Sequence, residues 1–331
     1  MMSGITVGLL MPHNPEVQTI IAAATPQTWT LVSSDGAAGS GRFHESAPLF
    51  DYLIVYGEKL DKALFERATR LRMIQKFGVG SDDIDTAACA ARGIALAVCT
   101  VGSDSAVAEH AIALILAALK RIPDLDHGVR RERAWPRWEY RGRIRQLAGS
   151  TVGVVGYGGI GRATAWRLRT LGAHVLVHTR REVDLAADAF DSSACEFGSL
   201  RHTPHVERLF DEASIVSLHC PLTPQTRGMV TEDLLNRLGP EGILINTARG
   251  AVVDEDALTR ALAEGRLGFA ALDVLAAEPP PASLPLLSLS NVIVTPHVGG
   301  GGLDVIRAKA AFVVANIEDH RAGRPVRTQI L

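Results

Sequence analysis

With 331 residues, 47% hydrophobic and 21% charged, the chain has a globular composition and is too long for one ordinary core, so two domains are expected. A formal net charge of −2 gives no reason to expect nucleic acid or an anionic membrane as partner. The longest apolar stretch, residues 106–119, is too short to span a bilayer and is interrupted by Glu109 and His110.

Residues 1–11 carry no basic leader region, so 5–11 reads as a first strand and not as a signal peptide. Further strands are expected at 28–32, 52–55, 73–77 and 94–98, with helices at 14–24, 61–70 and 85–91. Strands alternating with helices predict an α/β fold on a parallel, doubly wound sheet. Residues 33–46, rich in Gly, Ser and Ala, read as a loop. A long helix then runs from 106 to about Ile122, where Pro123 breaks or bends it. It is apolar almost all round, which predicts burial between domains or in a subunit interface.

Residues 130–145 are basic and aromatic, with Trp135, Pro136, Trp138 and Tyr140. In a slightly acidic chain they read as a loop that wraps a partner subunit or closes over a site. From Ser150 the alternation restarts, with strands expected at 151–155, 174–177, 215–219, 243–246, 268–272 and 292–294, and a last helix at 302–322. Residues 183–203 are longer than the usual connection and read as a surface excursion. The four cysteines, Cys89, Cys99, Cys195 and Cys220, show neither metal-ligand spacing nor a redox pair. No metal site is expected, and reduced thiols fit a cytoplasmic location. Cys220, before Pro221, reads as a buried small hydrophobe and not as a nucleophile, because no base lies beside it in sequence.

The strand at 151–155 runs directly into Gly156-Tyr157-Gly158-Gly159-Ile160-Gly161, and a helix follows from about Ile160 to Leu171. A glycine pattern alone is weak evidence, but between a strand and a helix it marks a dinucleotide site. Gly156 permits the tight turn, Gly158 lets the backbone approach a pyrophosphate, and Gly161 lets helix and strand pack closely. The helix N-terminus then favours the phosphate charge. After the next strand an NAD site would place Asp or Glu, whereas this chain reads His178-Thr179-Arg180-Arg181. Two guanidinium groups suit a 2′-phosphate, so NADP(H) is favoured. NAD(H) stays open if the arginines form a solvated turn and Glu182 or Asp184 meets the ribose.

Three further residues stand at or near expected strand ends in the same domain. Arg249 follows Asn246-Thr247-Ala248, Glu278 precedes Pro279, and His297 follows Thr295-Pro296. A guanidinium fork can bond the carboxylate and carbonyl oxygen of a 2-keto acid together. An imidazole can move the proton, and a neighbouring carboxylate orients the ring and favours its charged form. Asp273 could accept from a nicotinamide carboxamide. Together these groups supply what a hydride transfer to a 2-keto acid, or from a 2-hydroxy acid, requires.

An ordered set of motifs covers nearly the whole chain: Gly78-Val79-Gly80, Asp85, Val107-Ala108-Glu109-His110, the Gly156 to Gly161 turn, His219-Cys220-Pro221-Leu222-Thr223-Pro224, Asn246 to Gly250, Ala271-Leu272-Asp273-Val274, Glu278-Pro279 and Thr295-Pro296-His297. In this the sequence resembles the D-isomer-specific 2-hydroxyacid dehydrogenase family. The resemblance implies two doubly wound parallel-sheet domains. A Rossmann-like cofactor domain at 102–296 would be inserted into a flavodoxin-like substrate domain made of 1–101 and 297–331.

Carried over by position, Arg249 would bind and polarise the substrate, His297 would be the acid/base and Glu278 its partner. Val79 and Gly80 would offer amides to the substrate carboxylate. Gly159 and Ile160 would join the three motif glycines against the cofactor, with Thr179, Arg180 and Arg181 beyond the second strand. Cys220, Pro221, Thr247, Ala248, Asp273 and His297 would line the rest of the cofactor site.

A homodimer through the long helix is implied, with Trp135 or Trp138 near the second subunit's active site. The arginine pair resembles the NADP-preferring glyoxylate and hydroxypyruvate reductase branch, and the pocket implied by Val79-Gly80 would tolerate an acid without a side chain. Val98, Thr100-Val101 and Ser103 stand where relatives carry Asn, Pro-Gly and Asn, and Gly300 to Gly302 replace small polar residues. These departures bear on the hinge and substrate entrance more than on the chemistry.

No regulatory domain follows Leu331, so the longer phosphoglycerate dehydrogenases are not expected. Glu278 stands where formate enzymes of the family place Gln, while phosphite oxidation retains the Arg, Glu and His. An NAD-dependent enzyme for another hydroxy acid is the alternative. A dinucleotide-gated, non-enzymatic binding protein is a minor one.

Overall fold

A computed structural model of the protein describes residues 4–34, 41–180, 183, 185 and 198–331. The chain opens with β1 (Ile5–Leu10), α1 (Pro15–Ala24), β2 (Trp29–Ser33), α2 (Gly41–Ser46), β3 (Tyr52–Val55), α3 (Lys62–Arg67), β4 (Met73–Lys76), α4 (Thr86–Ala91) and β5 (Ala95–Ala97). Two helices follow, α5 (Ser103–Lys120) and α6 (Ile122–Arg130). Next come β6 (Thr151–Val155), α7 (Gly159–Thr170), β7 (His174–His178), β8 (Leu200–Thr203), α8 (Val206–Glu212), β9 (Ile215–Leu218) and α9 (Glu232–Leu238). The chain closes with β10 (Ile243–Asn246), α10 (Glu255–Ala263), β11 (Phe269–Leu272), β12 (Val292–Val294) and α11 (Leu303–Arg321). It divides into two compact units, Met1–Ser103 with Gly300–Leu331, and Asp104–Gly299.

The first unit is a five-stranded parallel sheet in the order β2-β1-β3-β4-β5, the flavodoxin-like arrangement. Crossover helices cover both faces, so its strands must be apolar on both sides. Tyr52 and Ile54 of β3 pack with Val17 and Ile21 of α1 and Val313 of α11, while Leu53 and Val55 pack with Phe43, Leu64 and Cys89. Asn14, Asp61 and Asp85 start α1, α3 and α4, each accepting a bond from the amide three residues on. The loop of Gly78, Val79 and Gly80 leaves the carboxyl end of β4.

The second unit carries seven parallel strands in the order β12-β11-β10-β9-β6-β7-β8. The direction of winding reverses between β6 and β9, and ligands of such sheets bind outside the carboxyl ends at that reversal. Ile115 and Leu119 of α5 and Leu168 of α7 cover Val152, Val154 and Ile245 on one face. Leu209, Leu235 and Leu258 of α8, α9 and α10 cover Val216, Leu218 and Leu244 on the other. Gly156 follows β6 and Cys220 lies two residues past β9, so both expected cofactor strands end at the reversal.

Three local expectations are corrected. The loop expected at 33–46 contains α2, while residues 35–40 lie outside the described part. The long helix does not bend at Pro123. It stops at Lys120, Arg121 turns left-handed at φ 53°, and Pro123 sits in the first turn of α6. Proline lacks only an amide that is unpaired there anyway. The last four residues of the excursion at 183–203 form β8, an edge strand paired with β7, whose sequence LRHT, polar at three of four positions, hides it from an apolar pattern. Among the described residues no helix is long and apolar enough to cross a membrane.

Ile245 is fully buried at the centre of the second sheet. Replacing it with Ala should cost this unit about 2–5 kcal/mol, read as a lowered denaturant midpoint.

Candidate active site

The glycine turn is closed beneath and open above. Gly156 has φ +94°, and a Cβ there would meet the Cys220 amide nitrogen at 2.7 Å. A Cβ on Gly161 would run into the carbonyl oxygen of Gly156. Gly158 differs, because its Cβ would find nothing within 4 Å. As the cap of α7, Gly158 offers no side chain to the first helical amides, so they remain for an anion. The hydroxyl of Thr247, buried just past β10, also lacks a partner among the described residues. A cradle of free amides with an orphaned donor nearby fits the pyrophosphate of a dinucleotide. Ile160 lies half-buried in the first turn of α7, and Ala248 is buried beside Thr247.

Thr179 and Arg180 follow β7, and the charge of Arg180 reaches the Cys220 thiol across the intervening β6. Arg181, like Glu182, Asp184 and Cys195, lies outside the described residues. Burial pushes the Cys220 thiol up to about 11, so it is not an activated nucleophile. Pro221 is exposed, and its carbonyl accepts from the Thr226 hydroxyl at 2.7 Å.

Arg249, Glu278 and His297 are joined through their backbones as well as their charges. The Asn246 side chain brackets the Arg249 turn, donating to the Arg249 carbonyl and accepting from the Ala248 amide, both at 3.0 Å. Gly250 follows so closely against the loop after β11 that a Cβ would strike the Leu275 carbonyl. In that loop Glu278 accepts from the Leu275 amide at 3.1 Å, and Glu255 accepts from the Ala276 amide at 2.9 Å. The other oxygen of Glu278 lies 2.7 Å from His297 Nδ1. Burial alone would raise the Glu278 carboxyl. The hydrogen bond and charge of His297, the Leu275 amide and the charge of Arg249 outweigh it and hold the group low. His297 Nε2 has no partner among the described residues.

Asp273 was expected to face a carboxamide, but most of its bonding is spent inside the protein. It is 2% exposed. One oxygen accepts from the Thr295 hydroxyl at 2.6 Å and the Val298 amide at 3.0 Å, the other from the Gly299 amide at 2.9 Å. His110 Nε2 stands 3.2 Å from the first oxygen and 3.0 Å from the Thr295 hydroxyl. With about four acceptor positions on a carboxylate, one remains for a ligand. The Asp273 carbonyl also accepts from the His297 amide at 2.8 Å, fixing that residue at the left-handed φ of 54°. Such a backbone costs on the order of 1–3 kcal/mol unless its surroundings hold it.

The supporting roles of Asn246, Glu255, His110 and Thr295 are not evident from sequence. An Asn beginning a four-residue step to glycine was the available signal for the first, since Asn bonds its own turn. Nothing in the sequence joins His110 to Thr295. Val79 and Gly80 belong to the first unit, with Val79 38% exposed.

Gly158 has φ −82° and ψ −165°, a backbone ordinary for any residue. Gly158→Ala should therefore keep its thermal midpoint while a methyl group at the open amides weakens ADP and NAD(P)H binding at least about tenfold, checked by titration calorimetry.

The model of the family described as "D-isomer specific 2-hydroxyacid dehydrogenase, NAD binding domain" matches residues 112–299. A hydroxyphenylpyruvate reductase of Plectranthus scutellarioides is 34% identical over 82% of each chain. The glyoxylate/hydroxypyruvate reductase A HPR2 of Arabidopsis thaliana is 35% identical, again over 82% of both. A D-3-phosphoglycerate dehydrogenase of Archaeoglobus fulgidus is 32% identical over 86% of this chain but only 52% of its own length. Among solved structures, an NADPH-dependent glyoxylate/hydroxypyruvate reductase of Sinorhizobium meliloti, in complex with NADP and malonate, superposes with a TM-score of 0.81. It is 28% identical, covering 99% of this chain and 97% of that one. The chain thus belongs to the D-isomer-specific 2-hydroxyacid dehydrogenase family and is an oxidoreductase that acts on the CH–OH group of 2-hydroxy acids with a nicotinamide dinucleotide.

Proposed function

We propose that the protein is an NADPH-dependent reductase of small 2-keto acids such as glyoxylate or hydroxypyruvate, forming the D-2-hydroxy acid where the carbon is chiral. The 2.7 Å bond between His297 and Glu278, beside the turn that carries Arg249, is the observation on which the chemistry rests. A bound nicotinamide supplies the hydride to the carbonyl carbon. Arg249 bonds the substrate carboxylate and carbonyl oxygen and stabilises negative charge as it grows there. His297 gives its Nε2 proton to that oxygen, so the C=O bond becomes CH–OH, and Glu278 keeps the ring oriented through Nδ1. Val79 and Gly80 keep the substrate-binding role that the resemblance gives them.

The NADP preference is supported by Thr179 and Arg180 standing past β7 where an NAD site would place a carboxylate, and by the NADPH-dependent relative. A homodimer belongs to the same proposal, supported by exposed apolar groups between α6 and β6: Trp135 at 78%, Trp138 at 68% and Ile144 at 41%. Preference for a larger acid is the second reading, favoured by the similarity to a hydroxyphenylpyruvate reductase.

Oxidation of NADPH and NADH should be followed with glyoxylate, hydroxypyruvate, hydroxyphenylpyruvate and phosphohydroxypyruvate. NADPH with the two small acids should give the highest kcat/KM, and Arg180→Asp should shift preference toward NADH by about tenfold or more. No turnover on any acid, or a cofactor ratio that ignores Arg180, rejects the corresponding half of the assignment.

Glu278→Gln replaces the carboxylate that orients the His297 ring through the 2.7 Å bond to Nδ1. With the ring less well held, kcat for keto-acid reduction should fall by about tenfold or more while KM and the thermal midpoint change little. Steady-state kinetics beside a thermal melt check this.

A further inference from the structure

The carboxylate of Asp104 rests on the first residue of α7. A Cβ built on Gly159 would fall onto both Asp104 oxygens and their carbon, so the group lies directly against the Gly159 backbone. Both residues belong to the second unit, Asp104 in the first turn of α5 and Gly159 opening α7 next to the unhindered Gly158. None of the α7 amides bonds this carboxylate, and among the described residues no cation or donor is paired with it. Asp104 is exposed on its outer side, and the partial loss of solvent against α7, without such a partner, raises its carboxyl above the usual range. A capping residue or an ion-pair partner would show the opposite, a bonded and stabilised charge. Asp104 is instead a bare negative charge at the turn whose amides attract anions.

We infer that Asp104 is a residue of the dinucleotide site and opposes the pyrophosphate, limiting the affinity for NADPH and NADH alike. This rests on the dinucleotide reading of the glycine turn. The pyrophosphate is common to both cofactors, so the charge weakens both by the same factor and leaves the 2′-phosphate preference untouched. Its effect is to favour release of the spent nucleotide over its retention.

The test titrates the full-length wild type and Asp104→Asn with ADP, NADPH, NADH and adenosine, by calorimetry and nucleotide fluorescence. Removing one like charge at this range should tighten ADP, NADPH and NADH by a similar factor, about three- to tenfold, and leave adenosine, which has no phosphate, unchanged. Raising the salt should shrink the gain, because the repulsion is screened. Unchanged or weaker ADP binding at an unchanged thermal midpoint overturns the inference, as does an equal gain for adenosine. Asp104→Ser gives the same comparison if the Asn variant is unstable. Failure of the wild type to bind any of the nucleotides would instead sink the dinucleotide reading of the turn.

Discussion

The buried carboxylate of Asp273 is the point from which the candidate site is hung. It gathers the Thr295 hydroxyl and the Val298 and Gly299 amides, and so clamps both sides of His297. A buried charge survives only where hydrogen bonds replace its hydration, and here they come from the segment that must be held. His297 is thereby kept in a left-handed backbone that presents its Nδ1 to Glu278. Desolvation of one acid becomes the positioning of an imidazole.

Placement by the sheet follows the same economy. The parallel order forces every strand of the second unit to end on one edge, and the reversal between β6 and β9 opens that edge beside Gly156. Arg249 and the Asp273 anchor leave the neighbouring β10 and β11, and His297 follows β12. Residues as far apart in sequence as Arg249 and His297 are therefore brought to the same sheet edge without any long loop having to find its way. Gly250 completes the arrangement, since its missing side chain lets the Arg249 turn and the Glu278 loop touch.

Much of this was legible in the residues. Apolar runs with β-branched residues and capping Asn or Asp gave the strands and helix starts, and the glycine turn declared itself through its flanking elements. The charged residues could be placed at strand ends because parallel strands all finish on one side. What escaped was set by tertiary context. β8 is mostly polar because it lies at an edge, the long helix breaks at Arg121 just ahead of a Pro123 that serves the next helix start, and α2 hides in a Gly-rich run. The internal donors to Asp273 come from residues 295–299, which no local pattern links to it.

The first unit is discontinuous in the chain. Its sheet is built from residues before 98, yet Ile306, Ala310, Val313 and Ile317 of α11 share the core with β1 and β3. During synthesis β1 to β5 emerge before the second unit and lack that cover until the whole of it has been made. The inserted unit can finish folding while its host still waits with an apolar sheet face bare. Chaperone contact and aggregation hazard are thus concentrated in the strands made before the inserted unit, not in the segments made after it.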